Sequence, residues 1–153
     1  MPFTPIAIAL GSNLGDRRAH LDWAVARLSE HLQNLNASTV IETDPVGVED
    51  EQPPYFNAVV VGDTELEPRK LMQLLLTIEE ERGRRRPALR AARTLDLDLI
   101  LYGDRVIDEP GLQVPHPRFR DRAFVLGPLA EVAPEMIDPI SGQRVEDLLA
   151  QIR

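Results

Sequence analysis

The alternation of apolar and polar positions divides the chain into extended and helical stretches. "PIAIAL", from Pro5 to Leu10, is a short apolar run ending at a glycine turn, and it reads as a buried strand. Leu21, Val25, Leu28, Leu32 and Leu35 then recur at spacings of four and three, which predicts a helix. "ASTVIETD" is rich in β-branched residues and predicts a second strand, and "YFNAVVVGDTEL" predicts a third. Between them, Pro45 to Pro54 shows neither period, and its prolines and acids mark a long surface loop. "EPRKLMQLLLTIEEERG" predicts a second helix, with Pro68 suited to its first turn and Gly83 to its end. An arginine-rich loop follows, then a strand at "TLDLDLIL", a short hairpin through Gly103 and Asp104, and a third helix around Arg122 to Val132.

The order strand, helix, strand, strand, helix, strand predicts an α+β fold of the ferredoxin-like kind. That is a four-stranded antiparallel sheet with helices on one face, followed here by a C-terminal extension. The other face is expected to stay free for a site. With 153 residues and no repeat or linker, one domain over residues 1–153 is expected. There are no cysteines, so disulfides and thiolate metal sites are excluded. No stretch approaches the ~20 apolar residues of a membrane span, and the expectation is a cytoplasmic monomer with no membrane partner. The formal net charge of −8 gives no general affinity for nucleic acid, so any anion site must be local.

"RTLDLDLILYG", Arg93 to Gly103, raises the sharpest chemical question. In an extended chain Leu95, Leu97, Leu99 and Leu101 would share one face, and Thr94, Asp96, Asp98 and Ile100 the other. Asp is depleted from strands, and two carboxylates two positions apart would lie about 6–7 Å from each other. A solvated strand face and a divalent-cation site both fit that spacing.

Charge distribution favours the cation. "RGRRRPALRAAR", Arg82 to Arg93, holds six of the seventeen basic residues and no acid. A helix C-terminus accounts for Arg82 and at most Arg84, because cations are favoured there. Guanidinium groups grip phosphate oxygens in pairs, which suits the remainder to a polyanion. "HPRFRDR" adds His116, Arg118, Arg120 and Arg122. A carboxylate pair beside arginines is compatible with bound phosphates only if cations lie between them, and this is the recurring layout of Mg²⁺-dependent phosphoryl transfer. "GSNLGD" is not a Walker A loop, since no Gly-Lys-Ser/Thr follows; Gly11 and Gly15 permit a tight turn, and Asn13 or Asp16 can cap the helix. The chain has seven aromatic residues, and Tyr55 and Phe56 beside Asn57 at a strand mouth suit either core packing or a flat polar heterocycle.

Together these segments resemble the 6-hydroxymethyl-7,8-dihydropterin pyrophosphokinase family. The resemblance runs through "ALGSNLGD", "PVGVEDEQPPYFNA", "RTLDLDL" and "VPHPRFRDRAFVLGPLAEVAPE", in the family's order. It implies transfer of pyrophosphate from ATP to a pterin hydroxymethyl group with release of AMP, in folate biosynthesis, using two Mg²⁺ ions on a ferredoxin-like fold. By motif it implies that Asp96 and Asp98 ligate both metals and that Arg84 and Arg93 bind phosphates and stabilise the transition state. Asn57 would bond the pterin edge, with Tyr55 and Phe124 on its two faces. His116 and Arg122 match positions that contact the triphosphate, and Glu79 matches a nucleotide-site residue. One departure stands out: the family's Arg-Trp-Gly-Pro before the signature arginine is replaced by Arg90, Ala91 and Ala92 before Arg93. The rival reading is a non-catalytic ferredoxin-like module that binds RNA or a small ligand, in which the paired aspartates would have no task.

Overall fold

The computed structural model describes residues 2–43, 54–83 and 94–152. Its centre is strand β1 (Thr4–Ser12), which pairs antiparallel with β4 (Tyr55–Thr64) on one side and β5 (Asp96–Tyr102) on the other. β2 (Gln33–Ala37) and β3 (Ile41–Thr43) both lie along the far edge of β4, giving the order β2-β4-β1-β5 with β3 beside β4. The sheet therefore has five strands where the pattern predicted four. Two strands share one edge because Ser38 bridges the gap between them. Its N–H donates to the Val59 carbonyl at 2.8 Å, and its hydroxyl accepts from the Val59 N–H at 2.9 Å, continuing the ladder with a side chain.

Helix α1 (Arg17–Ser29) begins at Asp16, whose carboxylate accepts the Ala19 N–H at 3.1 Å. The leucine period continues past its end, yet Leu32 and Leu35 leave the helix. Leu35 lies in β2, which fills the open edge of β4, and both leucines still reach the same core. Tertiary pairing overrides the local period here. Helix α2 (Pro68–Glu81) carries Pro68 at its start and is followed by Gly83 at φ 96°, as its composition predicts.

β5 departs from strict alternation. Leu97 lies opposite Leu10, and Leu99 opposite Ile8, but Leu101 faces Ala7, so Ile100 is an extra residue in a β-bulge. Leu95, Leu97 and Leu99 pack with α1 and α2, whereas Ile100 and Leu101 both belong to the opposite layer. The expected placement of Leu101 on the leucine face is thereby corrected.

The second face of the sheet is not free. Helix α3 (Ala123–Val132) and helix α4 (Val145–Gln151) lay Val125, Leu126, Leu129, Val145 and Leu148 against Ala7, Val59, Ile100 and Leu101. Helices thus flank both faces, and among the described residues that core leaves uncovered the end of the second face bearing Gly11, Asn57 and Asp96. The hairpin expected at Gly103 is also displaced. Gly103 (φ 53°) is a turn pressed against β1, where a Cβ would approach Thr4 Cγ2 to 2.8 Å, and the hairpin forms later between β6 (Ile107–Glu109) and β7 (Leu112–Val114).

Two buried carboxylates tie the layers together. β5 ends the sheet, and its Leu97 N–H donates to the Glu79 carboxylate of α2 at 2.7 Å. On the other face, Asp138 is fully buried and receives Arg120. Burial alone would raise the Asp138 pKa, but Arg120, the Ser141 hydroxyl and the Ile140 N–H outweigh it and hold it at about 2.

Glu79→Leu should lose about 1–3 kcal/mol of stability in urea unfolding, because the Leu97 N–H is left buried without this acceptor, while Glu79→Gln should lose less. Equal stabilities for Glu79→Leu and the parent chain would refute that account. Asp138 has a folded pKa below its unfolded value, so its contribution is complete above about pH 4 and is lost as pH falls through about 2. The depression corresponds to roughly 2 kcal/mol, about half of it gone by pH 3. Asp138→Asn should therefore be less stable than the parent at pH 7 and closer to it at pH 3; a gap independent of pH would contradict the linkage.

Candidate active site

Register across three strands builds the site. Gly11 of β1 lies opposite Asn57 of β4 on one side and Asp96 of β5 on the other, and one step along, Ala9 lies opposite Asp98. Because side chains alternate, Asp96 and Asp98 point to the same face as Asn57, with only a glycine and an alanine between them. The result is a cavity of about 480 Å³ floored by Ala9 and Gly11 and walled by Asn57, Asp96 and Asp98. Tyr55 and Phe124 also line it, from β4 and α3. A Cβ on Gly11 would stand 3.4 Å from Asn57 Oδ1 and 3.5 Å from the Tyr55 ring, so any side chain there would occupy the space these two groups face.

Local contacts fix the wall residues. Asn57 is 7% exposed, and its amide nitrogen donates to Thr43 Oγ1 of β3 at 2.7 Å. With the amide nitrogen on Thr43, Oδ1 lies on the Gly11 side. Phe56, between Tyr55 and Asn57, packs toward the α1 and α2 core, with the Arg17 guanidinium 4.1 Å from its ring centre. Arg17 also donates to the Pro54 carbonyl at 2.6 Å, so α1 clamps the start of the strand that carries Tyr55 and Asn57. Of the adjacent aromatics, one is core and one is site.

The loop after β7 brings the cations. The His116 N–H donates to the Ile100 carbonyl at 2.9 Å, stitching the loop to β5 beside the aspartates. Arg118, Asp121 and Arg122 line the cavity, and the Arg122 guanidinium lies 5.6 Å from the Phe124 ring centre. His116 is not part of the lining, but it feels the charges of Asp98, Arg122 and Arg118. Burial chiefly, then the two arginines, depress its pKa against the opposing pull of Asp98, which keeps the ring neutral at pH 7. Its Nδ1 accepts the Arg118 N–H at 3.2 Å, so the proton of the neutral ring sits on Nε2.

Asp96, Asp98, Asn57, Tyr55, Phe124 and Arg122 thus meet around one cavity, with His116 next to it. Glu79 does not line it: it is buried under β5 with its carboxylate on Leu97. Arg84 and Arg93, and the departure at Ala91 and Ala92, lie outside the described residues. Arg82 turns away, its guanidinium 5.0 Å from the Trp23 ring centre and its Nε donating to His20 Nδ1 at 2.8 Å, as a helix-end residue would. The motifs passed over Ala9, Thr43 and Asp121. Ala9 had a signal, the small residues alternating with aliphatics in "IAIALG", whereas nothing local marks Thr43.

The donor set suits a hard cation. Among the described residues no three His, Cys, Asp or Glu side chains gather as a metal cage. Two carboxylates at an open cavity, Asp98 exposed and Asp96 half-buried, match Mg²⁺, which takes one or two carboxylates and completes its shell with phosphate oxygens and water.

A family model for 7,8-dihydro-6-hydroxymethylpterin-pyrophosphokinase (HPPK) matches residues 7–134. A Bacillus subtilis (strain 168) protein named 2-amino-4-hydroxy-6-hydroxymethyldihydropteridine pyrophosphokinase is 45% identical over 131 residues, which covers 84% of this chain and 78% of that one. A Pseudomonas aeruginosa protein of the same name is 41% identical over 148 residues, covering 95% and 90%. Among solved structures, wild-type Plasmodium falciparum HPPK-DHPS superposes with a TM-score of 0.78 at 14% identity, over 98% of this chain and 45% of that one, and supports the fold. With the family model spanning most of its length, the chain belongs to the 7,8-dihydro-6-hydroxymethylpterin-pyrophosphokinase family.

Proposed function

We propose that this protein transfers pyrophosphate from ATP to 6-hydroxymethyl-7,8-dihydropterin and releases AMP, as a step of folate biosynthesis. The observation that carries the reading is the row Asn57, Gly11, Asp96, with an amide suited to a heterocycle edge and a carboxylate suited to a metal on either side of an open glycine. The order β2-β4-β1-β5, antiparallel throughout, with α1 and α2 on one face, supports a ferredoxin-like core to which β3, α3 and α4 are added. One domain, acting as a cytoplasmic monomer without a nucleic-acid partner, belongs to the same reading. No helix among the described residues is long and apolar enough to cross a membrane.

The pterin ring would lie between Tyr55 and Phe124 with its edge on Asn57, where stacking and paired polar contacts fix the hydroxymethyl group toward the aspartates. Asp96 and Asp98 would hold two Mg²⁺ ions, which when bound neutralise the triphosphate and polarise its phosphorus centres. Arg122 and His116 would take outer phosphate oxygens, joined by Arg84 and Arg93, with Glu79 on the nucleotide side through its hold on β5. The hydroxymethyl oxygen attacks the β-phosphorus, the bond from that phosphorus to the α–β bridging oxygen breaks, AMP leaves, and the hydroxyl proton passes to water. This chemistry needs alignment and charge neutralisation more than a covalent intermediate. A non-catalytic module is disfavoured, because nothing in passive binding uses two carboxylates aimed into an arginine-lined cavity.

Purified protein with ATP, Mg²⁺ and the hydroxymethyl-dihydropterin should yield AMP and the pterin diphosphate. Formation of ADP instead, or no pterin-dependent turnover, would overturn the reading. Asp98→Asn, at an exposed position, should leave thermal unfolding unchanged and lower kcat by on the order of 10²-fold or more at limiting Mg²⁺. Near-normal turnover in that variant would remove Asp98 from the metal site.

A further inference from the structure

The C-terminal segment meets the site loop at one buried ion pair. The Asp138 carboxylate receives Arg120 Nε at 2.5 Å and Nη2 at 2.9 Å, the Ile140 N–H at 3.0 Å and the Ser141 hydroxyl at 2.7 Å. Its own backbone is fixed as well, since its N–H donates to the Gln143 carbonyl at 2.9 Å and its carbonyl accepts the Gly142 N–H at 2.8 Å. At the other end of the pair, Arg120 lies in the 3₁₀ turn Phe119–Asp121, with its guanidinium 4.8 Å from the ring centre of the fully buried Phe119. The turn is therefore held from below by Phe119 and from the side by a two-pronged grip on an immobile carboxylate.

Neither Arg120 nor Asp138 lines the cavity, yet the residues around Arg120 do: Arg118, Asp121 and Arg122. Arg122 also precedes the first residue of α3, so the turn sets where that guanidinium leaves the backbone. Without the Asp138 charge, a half-buried Arg120 would be drawn to Asp121, the neighbouring acid that already attracts it, and the turn would lose its lateral anchor.

We propose that Asp138 is a positioning residue: through Arg120 it fixes the turn that presents Arg118, Asp121 and Arg122 to the cavity, and thereby sets how well the site holds an anionic substrate. The proposal rests on the pyrophosphokinase reading only for naming that anion as a nucleoside triphosphate. The neutral pterin is addressed mainly from the sheet, by Asn57 and Tyr55, so the two substrates should respond differently.

The test uses the full chain and four variants: Asp138→Asn, Arg120→Gln, the two combined, and Arg120→Lys. Asn at 138 keeps Oδ1 for the Ile140 N–H, and its Nδ2 can donate to the Ser141 hydroxyl oxygen in place of the bond that Oδ2 accepted, so the turn around residue 140 survives. Asp138→Asn and Arg120→Gln should each raise KM for ATP about tenfold, with kcat and KM for the pterin changed less than twofold, and the double variant should be no worse than either. Arg120→Lys keeps the charge but not the fork, and should raise KM for ATP about threefold while remaining folded. An ATP KM within twofold of the parent, or a pterin KM that rises in step with it, would overturn the proposal and leave the pair a purely structural tie. If Asp138→Asn does not fold, Arg120→Lys alone decides by the same criteria. Should the parent chain form no AMP, the pyrophosphokinase reading fails by itself, and the positioning role is then read from equilibrium titration with inorganic tripolyphosphate. Affinity about tenfold weaker in Asp138→Asn would support it, and equal affinity would overturn it.

Discussion

The two sides of β1 set the constraint on which the rest of the structure depends. Ile6, Ile8 and Leu10 project toward α1 and α2 and anchor the larger core, while Ala7, Ala9 and Gly11 project the other way. Small residues on that second side do two things at once. At Ala7 they let α3 and α4 approach the sheet closely, and at Ala9 and Gly11 they leave a floor from which Asn57, Asp96 and Asp98 rise. A large side chain at Gly11 would fill the space between the amide and the carboxylate, because antiparallel register places both directly beside it.

β5 shows how one strand serves a core and a site. Leu97 and Leu99 bury toward α2, which pins the backbone, and the opposite face changes within a few residues from carboxylates to the aliphatic pair Ile100 and Leu101. The bulge gives both of that pair to the second core, strengthening the seal under α3 next to the aspartates. Groups held this way on rigid strands carry little orientational freedom, which is the condition for placing charge against a triphosphate.

The fold was legible wherever local pattern and tertiary role agreed. β4, α2, α3 and the Pro68 and Gly83 boundaries follow from composition and period. Where they disagree, the sequence misleads for physical reasons: Leu32 and Leu35 keep the helical period but are needed at the β4 edge, and Leu101 keeps the strand alternation but follows a bulge. The covering of the second face was hidden because "AFVLGPLAEV" is apolar on most sides and names no partner. In the site, residues with strong chemical character, Asp96, Asp98 and Asn57, were visible from their types and neighbours. Thr43 and Asp138 were not, because their tasks are hydrogen bonds to side chains 14 and 18 positions away.

In an acidic chain the charge that a ligand meets is set by local pairing rather than by the total. Glu81 and Glu30 are engaged by Arg27, Glu109 by Arg69, and Asp138 by Arg120, whereas Arg118 and Arg122 face the cavity that holds the aspartates. The surface pairs add little stability. What they change is the local balance, since each neutralised carboxylate removes a charge that would act over a Debye length of about 8–10 Å. The carboxylates left facing the cavity, Asp96 and Asp98 with Asp121 at its rim, meet cations there: Arg118 and Arg122 from the loop, and Mg²⁺ in the proposed reaction. Net charge over the whole chain is therefore a poor guide to its ligand. Its sign at the site is decided by which acids and which arginines the sheet and the loop turn toward the cavity.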